Sequence, residues 1–136
     1  MDLTTRNRWL AIATIVVGGA AAYASCYSGV FVLDDFSSIP DNPTIRHLGN
    51  LGRVLTPLRG EGLTVDGRPV LNLSLALNYA FGGTAVGGYH AVNVLIHVLA
   101  GLALFGVLRR LSGREGLGWA AALIWTVHPL CSGRNP

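Results

Sequence analysis

The chain has 136 residues, of which 51% are hydrophobic and only 12% charged, and its mean hydropathy is +0.47. Soluble domains carry about 25% charged residues, so this composition indicates a membrane protein. It excludes an intrinsically disordered chain, which needs low hydrophobicity and a high net charge. The positive charges are all arginines and form no basic stripe, so we do not expect the net charge of +3 to bind nucleic acid.

The first apolar run, residues 9–33, contains no charged side chain. As a helix it extends roughly 37 Å, which crosses a hydrocarbon core of about 30 Å with some tilt. A cleaved signal peptide is the alternative, because Arg6 and Arg8 precede the run and residues 22–24 resemble an A-x-A cleavage site. The run is longer than the apolar region of a signal peptide, so we predict a transmembrane helix.

Residues 34–88 form a long loop whose first part is rich in charged residues, proline and glycine. Apolar side chains recur at helical spacing over residues 44–58. Pro69 suits the first position of a second helix, over residues 69–81. We predict that the first segment is a short helix on or near the membrane surface. The second is too short to cross a membrane, and we predict an interfacial or re-entrant helix.

Two further apolar segments follow the loop. Residues 89–108 are long enough to span, whereas residues 117–131 reach only about 22 Å as a helix and begin an incomplete third span. Trp119 and Trp125 are typical of anchors at a membrane interface. The predicted fold class is therefore an all-α polytopic membrane protein with two full transmembrane helices and a third at the C-terminus.

The arginines beside the predicted spans set the orientation. They are Arg6, Arg8, Arg109, Arg110 and Arg114. Short loops rich in arginine stay in the cytoplasm. The prediction is a multi-pass protein of the cytoplasmic (inner) membrane, with its N-terminus in the cytoplasm and residues 34–88 outside.

An acidic pair, Asp34 and Asp35, follows the first apolar run. Adjacent carboxylates next to hydrocarbon are costly unless they are used or paired, and their repulsion raises one pKa. A carboxylate of this kind can act as a general base on a hydroxyl, and the pair can hold a divalent cation. The alternative is a solvated end of a span, with Asp34 capping the next helix.

Polar side chains also mark the second span, where His90, Asn93 and His97 fall on one face. Such a stripe faces protein or a water-filled cavity rather than lipid. For His97 we favour a hydrogen bond between helices, with Gly101 allowing close packing. His90 lies nearer the surface and is the better candidate for a site.

Two more residues are candidates, each with an alternative. Arg68 can clamp a phosphate, since a guanidinium binds phosphate with two parallel hydrogen bonds, or it can pair with a loop carboxylate. His128, before a proline, is either interfacial or part of the site. Cys26 and Cys131 form neither a disulfide framework nor a zinc motif, and we predict no metal site beyond the possible cation at the acidic pair.

Short motifs occur in a characteristic order, namely FVLDD at 31–35, NP at 42–43, GRPVL at 67–71, LNY at 77–79, GYHAVN at 88–93, His97 and HPL at 128–130. This order resembles the N-terminal part of the GT-C membrane glycosyltransferases. It is most similar to the protein O-mannosyltransferase-like family with transmembrane and tetratricopeptide-repeat regions and to its bacterial relatives.

The resemblance implies a transferase that takes a sugar from a polyprenyl-phosphate carrier in the membrane lipid. The sugar goes to a hydroxyl of a protein or glycan acceptor on the extracytoplasmic side. The resemblance also implies that Asp34 and Asp35 hold the catalytic base. Residues near the carrier phosphate or the acceptor would be Arg68, His90, Asn93 and His128.

The resemblance also implies that this chain has no transferase activity by itself. GT-C enzymes have many more spans, so the chain is expected to be an N-terminal fragment that is inactive by itself. A small membrane protein with a binding or assembly role is an alternative. Another is a metal- or proton-handling protein that uses the acidic pair with His90 and His97.

Overall fold

The structure, a computed structural model, describes residues 3–24, 30–31, 33–56 and 65–128, with side chains from residue 6 onward. Within these residues every regular element is helical, which confirms the all-α class. The elements are α1 Leu3–Ala22, α2 Asp34–Ser38, a 3-10 turn Pro43–Ile45, α3 Leu51–Leu55, α4 Pro69–Gly82, α5 Val86–Ser112 and α6 Glu115–Val127.

The chain divides into two compact units. The three-helix unit comprises residues Met1–Tyr27 and Ala91–Pro136, and the loop unit comprises residues Ser28–His90. In the three-helix unit, α1 packs chiefly on α6. Its buried apolar side chains form two clusters, Ile15, Phe105 and Ala122 in one and Tyr23, Val94 and Val98 in the other.

Small residues let the helices of this unit approach closely. A Cβ atom on Gly19 would lie 2.9 Å from Cγ2 of Thr126, and one on Gly101 would collide with the Thr126 hydroxyl. Side chains at such positions would hold the backbones apart, which is why helix contacts in membranes favour small residues. Gly101 therefore has the packing role that the sequence predicts for it.

The two ends of the three-helix unit differ in charge. At one end, Nη2 of Arg8 lies 2.7 Å from Oε1 of Glu115, and Nη1 of Arg109 lies 3.5 Å from the same oxygen. The start of α1 and the turn between α5 and α6 therefore meet at what we call the arginine end. Towards the other end, Tyr23 packs against His97 with ring centroids 4.9 Å apart.

Within the described residues one helix, α5, is long and apolar enough to cross a membrane. Only 22% of the residues in its most apolar stretch are buried, which indicates a membrane protein rather than a core helix of a soluble one. The first turns of α1 carry Arg6 and Arg8, and α6 has 13 residues, about 20 Å of helix. The arrangement of three spans therefore stays a prediction.

The helix bounds differ from the predicted ones in two places. The apolar run from residue 9 to residue 33 is not one helix, because α1 ends at Ala22. The described part of segment 44–58, which ends at residue 56, is divided into the 3-10 turn and α3. Asn50 caps the new helix by accepting a hydrogen bond from the backbone N–H of Arg53 at 3.2 Å. The bounds of α4 and α5 include residues 69–81 and 89–108.

The loop unit has a small core of its own. The buried apolar residues are Ile39, Ile45, Val54, Ala76 and Tyr89. Helix α4 begins with Pro69 at a position where a missing N–H costs nothing. It ends at Gly82, and the next residue, Gly83, has a φ of 59° that only glycine readily adopts.

Candidate functional site

The acidic pair forms the first turn of α2. Leu33 precedes it with φ 44° and ψ −103°, in the left-handed half of backbone space. A leucine in this region costs about 1–3 kcal/mol, and the side chain of Leu33 is 84% exposed. Asp34 and Asp35 are the first two residues of this short helix.

The two carboxylates differ in environment. Asp34 is exposed and Asp35 is half-buried. Neighbouring residues on a helix do not face each other, so the side chains diverge. The carbonyl of Asp34 accepts a hydrogen bond from Oγ of Ser37 at 3.1 Å, and that of Asp35 accepts one from the N–H of Ile39 at 2.9 Å. The two side chains of the acidic pair therefore differ in direction and in exposure to solvent.

A buried amide network connects the segment after α2 to α3 and α4. Nδ2 of Asn42 donates to Oδ1 of Asn72 at 3.0 Å, and Oδ1 of Asn42 accepts from the hydroxyl of Thr44 at 2.6 Å. Nδ2 of Asn72 donates in turn to Oγ1 of Thr44 at 2.9 Å and to the carbonyl of Val54 at 2.7 Å. Both asparagines are fully buried, so this network holds the elements of the loop unit together.

A second polar link in the loop unit was not predicted. Nη1 of Arg46 donates to the hydroxyl of Tyr79 at 2.9 Å, and Nη2 of Arg46 donates to the carbonyl of Pro40. The guanidinium also lies 5.4 Å from the centre of the Tyr79 ring. The motif LNY contains Tyr79, but nothing local in the sequence connects this tyrosine with an arginine 33 residues away.

Arg68 and His90 belong to the same unit as the acidic pair. Arg68 is exposed and immediately precedes α4, and its carbonyl accepts a hydrogen bond from the N–H of Asn72 at 3.0 Å. Nε2 of His90 is buried, and no described residue forms a hydrogen bond with it. A buried ring nitrogen of this kind is costly to leave unsatisfied and is suited to binding a polar group of a ligand.

The other predicted site residues belong to the three-helix unit. Asn93 is exposed on α5, and His128 is exposed at the end of α6. His97 has the structural role that we favoured, because its Nε2 lies 2.9 Å from the carbonyl of Thr126. Its ring stacks on Trp125 with centroids 4.6 Å apart.

The described residues contain no group of three or more histidine, cysteine or acidic side chains that could hold a metal ion. The acidic pair therefore has no third protein ligand of these types among them. Cys26 and Cys131 lie outside the described residues, as does Pro129.

These features define a class, an all-helical membrane protein that presents an acidic pair on a separately packed loop unit. Comparison with known proteins gives a more specific result. The chain is 36% identical to protein O-mannosyl-transferase Tmtc1 of Drosophila melanogaster, over 79% of this chain and 13% of the relative. It is 29% identical to protein O-mannosyl-transferase F38B6.6 of Caenorhabditis elegans, over 79% of this chain and 17% of the relative.

A human relative, protein O-mannosyl-transferase TMTC1, is 29% identical over 93% of this chain and 16% of its own length. The chain thus spans less than a fifth of the length of these relatives. No family model matches it, and no solved structure does. The resemblance to the protein O-mannosyltransferase-like family is confirmed by these relatives, at modest identity, while the GT-C class and the bacterial branch stay predictions.

Proposed function

We propose that this chain is part of an integral-membrane glycosyltransferase. The enzyme would transfer a sugar from a polyprenyl-phosphate carrier to a hydroxyl of a protein or glycan acceptor on the extracytoplasmic side. The observation that carries the proposal is the similarity to protein O-mannosyl-transferases over 79% of the chain or more. The matching segment is long enough to include both the loop unit and helices of the three-helix unit.

In the proposed reaction, a carboxylate of Asp34 or Asp35 accepts the proton of the acceptor hydroxyl. The hydroxyl oxygen attacks the anomeric carbon of the sugar, and the bond from that carbon to the carrier phosphate breaks. The phosphate leaves as an anion, which Arg68 and His90 would bind. Asn93 and His128 are proposed to contact the carrier or the acceptor.

The direct test is a chimaera in which this chain replaces the matching segment of the fruit-fly relative. We expect Asp34→Asn or Asp35→Asn to lower sugar transfer to an acceptor peptide by about 100-fold or more, the usual contribution of a general base. Asp66→Asn, an exposed carboxylate of the same loop unit, is the matched control. Normal rates in both acidic-pair variants would remove the catalytic assignment.

The 136-residue chain alone is expected to transfer no sugar, because its described helices do not form the many-helix cavity that a polyprenyl carrier requires. Transfer by the purified chain would overturn this expectation. A defined complex between the inactive chain and a partner protein, with no activity in the chimaera, would instead favour the binding or assembly role.

We also propose that the N-terminus is cytoplasmic and that the loop unit lies outside the inner membrane. The contacts of Glu115 with Arg8 and Arg109 support this orientation, because they bring the arginines of α1 and of the α5–α6 turn to one end. The test is a chain without its native cysteines. In intact cells a membrane-impermeant maleimide should label Asp66→Cys and leave Arg6→Cys unlabelled, and the reverse result would invert the orientation.

A further inference from the structure

A cleft of about 340 Å³ opens at the arginine end of the three-helix unit, between α1, α5 and α6. Its volume lies within the range of about 300–1,000 Å³ that is typical of ligand sites. The walls include Leu10, Phe105 and Trp119, and Gly116 lines it without contributing a side chain. None of the residues proposed for sugar transfer lines this cleft.

The one charged side chain that lines the cleft, Glu115, is paired with two arginines that lie beside the lining residues. Glu115 accepts hydrogen bonds from Nη2 and Nε of Arg8 at 2.7 and 3.2 Å, and Nη1 of Arg109 lies 3.5 Å from the same carboxylate. Two guanidinium groups thus share one carboxylate, which leaves one positive charge uncompensated. Arg110, in the last turn of α5, and Arg114, immediately before α6, are both exposed.

The cleft is also preorganised. The indole N–H of Trp119 donates to Oγ1 of Thr14 at 2.8 Å, which ties α6 to α1 and fixes the ring as a wall. The guanidinium of Arg109 lies 5.8 Å from the centre of the Phe105 ring, so this cation is held next to the apolar wall. A ligand that fits needs an apolar body and an anionic group close together.

We propose that this cleft binds one anionic phospholipid, with its phosphate at Arg8 and Arg109 and its glycerol and upper acyl chain against Leu10, Phe105 and Trp119. Basic pockets between membrane helices bind the head groups of anionic lipids in this way, and guanidinium groups are well suited to phosphate. The tryptophan and the arginines match the depth at which the head group and acyl chains of a lipid meet.

The experiment uses the whole chain, purified in detergent and titrated with dioctanoyl phosphatidylglycerol, with bound lipid counted by native mass spectrometry. We expect one retained lipid and at least tenfold weaker binding of dioctanoyl phosphatidylcholine, which has the same chains but no net charge. Equal binding of the two lipids would overturn the proposal. Displacement of the lipid by millimolar inorganic phosphate would also overturn the proposal, because this result would show that the cleft binds a free anion.

Two glycines give a matched pair of variants. A Cβ atom on Gly116, which lines the cleft, meets nothing within 4 Å, and the same holds for Gly106 of α5, which does not line it. Gly116→Leu should fill the cleft and weaken lipid binding at least tenfold, whereas Gly106→Leu should leave it unchanged. Equal affinity in the two variants would place the lipid elsewhere and overturn the proposal.

Arg109→Gln removes the positive charge of Arg109 without filling the cleft. It therefore tests whether the cleft binds an anionic lipid even if Gly116→Leu fails to fold. We expect at least a fivefold loss of phosphatidylglycerol binding and no change for phosphatidylcholine. Arg53→Gln, at an exposed arginine of the loop unit, is the control. An unchanged affinity in the folded Arg109→Gln variant would contradict the proposed contact with the phosphate.

Discussion

Each of the two units of this chain is stabilised internally by a different kind of interaction. In the loop unit, buried asparagines donate and accept hydrogen bonds between segments that lie 28 or 30 residues apart. In the three-helix unit, glycines let apolar helices come close, and His97 adds a hydrogen bond to α6. The stability of the loop unit therefore depends on a hydrogen-bond partner for each polar group of this buried network. The stability of the three-helix unit depends on the close steric fit of its helices.

The largest effect is expected from Asn72→Leu in the loop unit. The change removes the partners of Asn42, Thr44 and Val54 at a fully buried position. Each buried polar group left without a partner costs about 1–3 kcal/mol, so the loop unit should open. Hydrogen–deuterium exchange should show lost protection in α4 and little change in α6.

Asn93→Leu is the control for this prediction, because it makes the same chemical change at an exposed position of α5. Full protection of α4 in the Asn72→Leu variant would mean that the amide network does not hold the loop unit. Equal loss of protection in both units would mean that they unfold together.

A smaller effect is expected from Gly101→Leu in the three-helix unit. The new side chain would collide with the hydroxyl of Thr126, and overpacking of this kind costs about 1–3 kcal/mol. The thermal unfolding temperature in detergent should fall, with the loss of helix protection confined to α1, α5 and α6. Gly106→Leu, where a side chain meets open space, should not lower it, and an equal fall in both variants would contradict the steric explanation.

The smallest effect concerns the arginine end. The hydrogen bond from Arg8, followed by the positive charges of Arg8 and Arg109, lowers the pKa of Glu115 below its ordinary value of 4.5. A lowered pKa in the folded state means that the contact stabilises the unit above pH 4.5 and that this stabilisation is lost as the pH falls through the lowered value.

The measurement compares the unfolding temperatures of the native chain and of Glu115→Gln between pH 7 and pH 3. The native chain should unfold at a slightly higher temperature at pH 7, and the two curves should converge towards pH 3. A constant difference across this range would show that Glu115 acts through packing rather than charge.

Local signals in the sequence predicted part of this fold. Pro69 marks the start of α4 because proline is accommodated in the first turn of a helix. The spacing of His97 and Gly101 predicted a close helix contact, which the structure contains. The apolar run from residue 9 to residue 33 does not reveal that α1 ends at Ala22, because hydrophobicity over a long segment does not report where a helix ends.

Less of the candidate site could be predicted from local signals in the sequence. The acidic pair is visible in the sequence because two adjacent carboxylates follow an apolar run. The contact of Arg46 with Tyr79 and the bond between Asn42 and Asn72 depend on tertiary pairing. A single sequence carries no local signal for partners that lie so far apart along the chain.

The ion pair between Arg8 and Glu115 has a consequence for biosynthesis. The two residues lie 107 positions apart, and α1 packs chiefly on α6, which is synthesised last among the described helices. At a translation rate of about 5–20 residues per second, α1 waits roughly 5–20 s for its partner to leave the ribosome. During that interval the face of α1 that packs on α6 is not yet covered by that helix, so α1 reaches its final packing only after the last of the described helices has been synthesised.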